Sequence, residues 1–362
     1  MASCRMELLR LRGPVQMGDD TGSPARDTVS VVIPTLRRWA SLERTIAAVL
    51  VDPRTDEVVV VVDSEDDEES LRALAQWSQH DPRVRAVSQA NAGSNAARER
   101  GVREAKGSII VMLDDDVEAG SGLITGHVLR HEGVSKLVVV GYMPVVVPAE
   151  PELRVTAEIY SKGYEVACRG YDEEPGRILD RLWSGNISMR REDILAVGLA
   201  SPLNLRYHVD LEFGIRCARA GLTAVFDRSL LATHHYERRV EQLVRDGRNG
   251  GRAQALIGQT LQIRDSGVIH PLGDFTLMRR IVIYVVSFRP IRAASIAAIR
   301  HCIEMSVSRQ RTLTSKMMLH LLLGVESYVA YRALNGPGIQ RLWYDRRWGK
   351  ASFLPKVDSG TR

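Results

Sequence analysis

The chain has 362 residues, is 44% hydrophobic and 26% charged, and carries a formal net charge of +5. That is enough for one large domain or two ordinary ones, and it excludes a disordered chain. The charge is uneven: residues 1–237 carry 28 Lys and Arg against 36 Asp and Glu, whereas residues 238–362 carry 21 against 8.

In chain order, residues 1–28 are polar and rich in Gly, Pro and Asp, and read as a flexible leader with no apolar core of signal-peptide length. VSVVIP (29–34) is a short buried strand stopped at Pro34, and SLERTIAAVL (41–50) has helical spacing with Ser41 as its N-cap. EVVVVVDS (57–64) predicts a second buried strand ending at Asp63, and EESLRALAQWSQ (68–79) a helix with acidic residues in its first turn. VRAVSQ (84–89), SNAARERGVREA (94–105) and GSIIVML (107–113) continue as strand, helix and strand. Strands alternating with helices predict an α/β fold with a mostly parallel sheet covered on both faces.

The next part is less regular. KLVVVGYMPVVV (136–147) is strand-like, and residues 150–183 are helical and loop-like. SGNISMRREDILAVG (184–198) predicts a short strand and a helix. VDLEFGIRCARAG (209–221) predicts a helix closed by Gly221, and LTAVFD (222–227) another strand. Beyond residue 238 the pattern is helical, basic and amphipathic, with a break expected at Gly250–Gly251. No apolar run approaches the roughly 18–20 residues that span a bilayer. Cys4, Cys168, Cys217 and Cys302 show no metal-ligand spacing, which argues against a zinc site or disulfide framework and fits a reducing cytosol.

One stretch is chemically conspicuous. IIVML runs straight into Asp114, Asp115 and Asp116. Three carboxylates at the end of a buried strand either face water or hold a cation. Ligands of open α/β sheets bind at the carboxyl ends of the strands. Pro34–Thr35, Asp63 and the triplet all sit at such ends. Asp63 could accept the imide N–H of a pyrimidine base, and Asp114 with Asp116 could hold Mg²⁺ or Mn²⁺. Strand alternation puts those two on one side and leaves Asp115 the least constrained.

The ordered set VSVVIPT (29–35), VVVVDSEDD (59–67), NAGSNAARERGVREAKGSIIVMLDDD (91–116), SGNISMRREDILAVG (184–198), HVDLEFGIRCARAGLTAVFD (208–227) and THH (233–235) resembles the inverting family 2 glycosyltransferases of GT-A fold. The resemblance covers roughly residues 29–236. It implies a GT-A glycosyltransferase domain over 29–237 and a mainly helical extension over 238–362. It implies that Pro34, Thr35 and Asp63 line the nucleotide pocket, and that Asn95 and Arg98 lie near the base and diphosphate. Asp114 and Asp116 would hold a divalent cation, with Asp115 beside the donor and His234 completing the metal shell. Gly185 and Asn186 would mark the sugar and acceptor pocket. Asp210 matches the catalytic base, with Glu212 as a second candidate.

Two departures stand out. Asp63–Ser64–Glu65–Asp66 replaces the family's usual DDGS, and Val209 precedes Asp210 where Glu is common. Residues 210 and 212 also fall on different helical faces, and Glu212 has the spacing of a salt bridge to Arg216. The implied activity is hexosyl transfer, with inversion, from a UDP-, dTDP- or GDP-linked sugar to a glycan, lipid-linked or small-molecule hydroxyl. A nucleotide-sugar-binding scaffold without turnover and a nucleotidyltransferase are the alternatives. TLRRWAS (35–41) lacks the glycine-rich loop that the latter usually carries. The basic region has two readings: docking on an anionic membrane, or packing on the core or a second copy. The expected setting is cytoplasmic, with peripheral membrane contact and a homodimer both left open and no nucleic-acid partner.

Overall fold

The centre of the molecule is built from strands of β-branched residues buried on both faces. A computed structural model of the chain describes residues 26–260, 270–272 and 275–335. The expected leader falls outside them up to residue 25. The strands β1 (Val29–Thr35), β2 (Glu57–Val62), β3 (Val84–Ser88) and β4 (Ile109–Leu113) alternate with the helices α1 (Trp39–Leu50), α2 (Glu68–His80) and α3 (Ser94–Glu104). Alternate residues of β1, β2 and β4 feed two hydrophobic clusters. Val31, Val60 and Val111 join one, while Val32, Val59 and Ile110 join the other.

After β4 come β5 (Val117–Ala119), α4 (Leu123–His131), β6 (Leu137–Tyr142), α5 (Pro151–Glu173) and a 3-10 helix (Pro175–Arg181). Then follow β7 (Asn186–Arg190), α6 (Arg191–Val197), α7 (Val209–Arg219) and β8 (Thr223–His234). The eight strands form a sheet in the order β3-β2-β1-β4-β7-β6-β8-β5. β1 to β4 are mutually parallel, but β7 runs antiparallel to both β4 and β6. Six strands share one direction and only β7 and β5 are reversed, so the sheet is mostly parallel, as the alternation predicts.

Two boundaries moved for local reasons. α1 begins at Trp39, and Ser41 is not its cap; the preceding residue, Arg38, makes no side-chain cap bond. The strand expected over 136–147 ends at Tyr142, because Pro144 has no N–H for a ladder. Its carbonyl instead accepts from the His234 backbone, and Val146 N–H donates back to His234 O.

The chain closes with α8 (Val240–Thr260), α9 (Leu277–Val286), α10 (Arg289–Ser308) and α11 (Thr312–Asn335). α8 runs unbroken through Gly250–Gly251. The glycine is a packing residue: a Cβ at Gly251 would stand 1.9 Å from the Ser327 carbonyl oxygen of α11. Leu243, Val244, Leu319 and Leu322 share a cluster with Val155 and Ile159 of α5, so the basic region packs on the α/β core.

Candidate active site

A cleft of about 1760 Å³ opens at the carboxyl ends of β1, β2 and β4. It exceeds the roughly 300–1,000 Å³ typical of a single small-molecule site and has room for two ligands. Pro34, Thr35, Asp63, Asn95, Arg98, Asp114, Asp115, Asp116, Asp210 and His234 all line it. These residues are scattered over 200 positions of sequence, and the sheet topology brings them to one edge.

The aspartate triplet is arranged differently from the strand-based expectation. β4 ends at Leu113, and Asp114 to Val117 form a turn closed by the Val117 N–H to Asp114 O bond of 3.1 Å. Strand alternation therefore does not reach the carboxylates. Asp115 is as enclosed as Asp116, and so is not the least constrained of the three. Thr35 Oγ1 donates to it at 2.8 Å and Arg38 Nη1 at 2.6 Å. Arg38 Nη2 donates to Asp116 at 2.7 Å, and Arg98, itself buried, pairs with Asp114. Two guanidiniums thus separate three carboxylates that would otherwise repel.

Burial and the neighbouring carboxylates push Asp115 above the usual carboxylate range, although Arg38 opposes them. Burial alone would do the same to Asp116, but His234 and Arg38 outweigh it and hold that carboxyl well below the ordinary range.

Among the described residues, no group of three or more His, Cys, Asp or Glu side chains is placed to hold a metal ion. Asp114, expected as a ligand, is engaged by Arg98 instead. Asp116 and His234 do fit a cation. His234 Nε2 lies 3.3 Å from Asp116 Oδ1, close to the roughly 3 Å between neighbouring octahedral ligands with bonds of about 2.1 Å. His234 is also buried with Nδ1 lacking a partner, while Tyr160 and Tyr236 pack edge-on against its ring.

Asp210 and Glu212 part company at the start of α7. The Asp210 carboxylate accepts from Ser184 N–H at 3.1 Å and Ser184 Oγ at 2.7 Å, which fixes it at the cleft wall. Burial raises its pKa; Arg98 and Ser184 oppose that shift, and Asp114 adds to it. Glu212 points the other way, is 1% exposed and is held by Arg216 at 2.7 and 3.0 Å. It does not line the cleft, so Glu212 is unavailable as a base. The preceding residue, His208, has a positive φ of 55°, and this left-handed entry starts the helix with Asp210 in its first turn.

The other expected positions divide. Asp63 lines the cleft, but its carboxylate accepts from Gln89 Nε2, Ala92 N–H and Gly93 N–H at 2.8–2.9 Å. It thereby shapes the loop before α3. Asn95 donates to Leu199 O and accepts from Arg98. Gly185 and Asn186 do not line the cleft. A Cβ at Gly185 would meet Asp114 Oδ2 and Met143 Sδ at 2.8 Å, so the glycine allows close packing beneath the triplet. Asn186 faces away, bonding His127 and the Leu230 carbonyl.

Residues 30–193 match the family model described as glycosyl transferase family 2. The chain is similar to this family over that stretch. A curated relative from Bacillus subtilis, the uncharacterized glycosyltransferase YfnE, is 23% identical over 49% of this chain and 56% of that protein. The chain thus spans little more than half of that relative's length. Among solved structures, the mannosyltransferase PcManGT from Pyrobaculum calidifontis, in complex with GDP-Man and Mn²⁺, superposes with a TM-score of 0.52. That alignment is 14% identical and covers 84% of this chain and 88% of the other, a likeness of GT-A fold.

Several residues of this site were not singled out from the sequence. Arg38 lay in TLRRWAS, noted only for its lack of glycine. Ser184, whose backbone and hydroxyl both hold Asp210, is 26 residues upstream of it. Tyr160 stacks on Tyr236 with ring centroids 4.1 Å apart and meets Trp183 at 5.1 Å, giving the cleft an aromatic wall. No spacing rule links residues from α5, the segment after the 3-10 helix and the end of β8.

Proposed function

We propose that this protein is an inverting glycosyltransferase that moves a hexose from a nucleotide-diphosphate sugar to an acceptor hydroxyl. The observation that carries the reading is Asp210, a carboxylate fixed by Ser184 in the same cleft as Thr35, Asp63 and Asp114–Asp116. A general base must be oriented toward a reacting hydroxyl, and burial raises the Asp210 pKa, the direction that makes it a stronger base. Asp210 accepts the acceptor's proton as its oxygen attacks the anomeric carbon. The nucleotide leaves from the opposite face, so one displacement inverts that carbon.

Asp116 and His234 are the protein residues that would hold a Mg²⁺ or Mn²⁺ ion, whereas Asp114 is paired with Arg98. Such an ion supplies positive charge beside a leaving diphosphate. Two protein ligands suffice, because such ions keep several sites for phosphate and water. Arg38 and Arg98 hold the carboxylates in place and are themselves suited to phosphate oxygens. The donor is UDP-, dTDP- or GDP-linked, the setting cytoplasmic, and the acceptor side of the cleft lies toward α5 and the C-terminal helices.

Thermal shift with a panel of nucleotide sugars, with and without Mn²⁺, tests this reading. One donor is expected to raise the melting temperature only when Mn²⁺ is present, since a ligand of the folded state stabilises it. No stabilisation by any donor in the panel would contradict the proposal.

A further inference from the structure

The wall of the cleft formed by helices has a different character from the carboxylate end. Lys162 of α5, Arg279 of α9, and Lys316 and His320 of α11 all line it. Glu158 answers Lys316 at 2.6 Å. Lys162 and Arg279 are exposed, and no carboxylate pairs with either among the described residues. Burial, and then the charges of Arg279, Lys162 and Lys316, push the His320 pKa below its ordinary value, so these cations converge on one spot. His320 Nδ1 is 3.1 Å from the Lys316 carbonyl and donates to it, so the neutral ring sits among the cations without adding a charge of its own. Glu173 of α5 and Asp246 of α8 also line the cleft, but of these three cations only Lys316 has a carboxylate partner among the described residues, and the other two call for an anion.

Beside this basic wall the surface is unusually apolar. Leu313 and Met317, 71% and 51% exposed, line the same cleft one helical turn apart on α11. α9 packs on α11 through Ile283, which faces Gly324. Its outer side carries Met278, Ile281 and Val285, at 70%, 41% and 51% exposure. Their i, i+3, i+7 spacing makes a single stripe. α9 and α10 then meet at a bend of 108°, where Phe288 stands 60% exposed beside Arg289. Such a stripe exceeds the scattered apolar residues of an ordinary surface. Aliphatic and aromatic side chains alternating with arginine compose a helix that rests in a membrane interface. Among the described residues no single helix is long and apolar enough to cross a membrane, although the bent pair α9 and α10 together has the length and composition to do so.

We propose that Lys162, Arg279 and Lys316 form a subsite for the phosphate of a lipid-borne acceptor, and that the α9 stripe rests on the membrane holding that lipid. The charge of the wall matches a phosphate, and the apolar residues next to it match the chain attached to that phosphate. Leu313 and Met317 would guide the lipid from the α9 stripe to the basic wall. The term acceptor rests on the glycosyl-transfer reading; the binding of a phosphorylated lipid does not.

Flotation of the full chain with phosphatidylcholine vesicles, with and without phosphatidic acid, tests this. Wild type is expected to float with the phosphatidic acid vesicles and far less with phosphatidylcholine alone. The double variant Lys162→Ala, Arg279→Ala should bind them about 30-fold more weakly, the effect of removing two surface cations. The double variant Met278→Asp, Val285→Asp should lose flotation as well. Wild type remaining unbound to both vesicles, or the cation variant floating as wild type does, would overturn the proposal. Stabilisation by nucleotide sugar with Mn²⁺, read on the same samples, should be equal in all three proteins. Its absence from all of them would sink the donor reading and leave the flotation result standing on its own.

Discussion

Arg38 and Arg98 explain how three adjacent aspartates survive at the end of a buried strand. Their charges are compensated in place before any ligand arrives, and Arg38 alone bridges two of them. Removing one member of a buried ion pair leaves an uncompensated charge, at a cost of about 3–5 kcal/mol. Arg38→Ala should therefore lower the melting temperature of the unliganded protein. It should also let Mn²⁺ restore more stability than it gives to wild type, because the cation would replace the lost charge. Thermal shift with a Mn²⁺ titration checks both, and an equal Mn²⁺ effect on the two proteins would exclude that replacement. The carboxylates were legible in the sequence as an oddity needing a cation. Their partners were not, because Arg38 reaches them across 77 residues from a loop without a motif.

Among the elements, the first four strands and the helices between them could be read from apolar runs and periodicity. These segments are local, and each strand is buried on both faces. The errors fall where tertiary contact overrides local preference. Gly250–Gly251 looked like a helix break, but at Gly251 it is where α8 and α11 touch backbone to backbone. Gly251→Val should separate the two helices and destabilise the fold by at least the 1–3 kcal/mol of ordinary overpacking, measured by urea unfolding. A loss below about 0.5 kcal/mol would mean that the helices do not meet there.

α4 carries a second device that periodicity hides. Buried His127 and His131 share the Ser188 hydroxyl, and burial lowers both pKa values from 6.5 to about 4. Between those values the unfolded chain binds more protons than the folded one, so stability falls as pH falls through that window. The melting temperature should drop from pH 7 to pH 5, with a shallower drop in His127→Gln. Identical slopes for the two proteins would rule out this histidine as a cause.

At the scale of the whole molecule, the strand ends supply the donor side of one cleft and the helices after β8 supply its far wall. The order of motifs from residue 29 to 236 made the donor side legible, because strand ends in an open α/β sheet converge by topology. The far wall was legible only as excess positive charge. Its cations come from α5, α9 and α11, and only folding assembles them. Helical spacing already favoured Asp210 over Glu212 on α7 and placed Glu212 within reach of Arg216; the structure adds Ser184, which no spacing pointed to.

Everything proposed for catalysis converges on Asp210, so comparing Asp210→Asn with wild type is the most direct test. Turnover of the donor identified by thermal shift and calorimetric affinity for its nucleotide with Mn²⁺ would be measured on both proteins. The expected result is a loss of turnover of about 10²–10⁴-fold, the usual weight of a general base, with nucleotide affinity nearly unchanged. A variant that keeps a tenth or more of wild-type turnover, a value on the order of ten times above that range, would contradict the assignment.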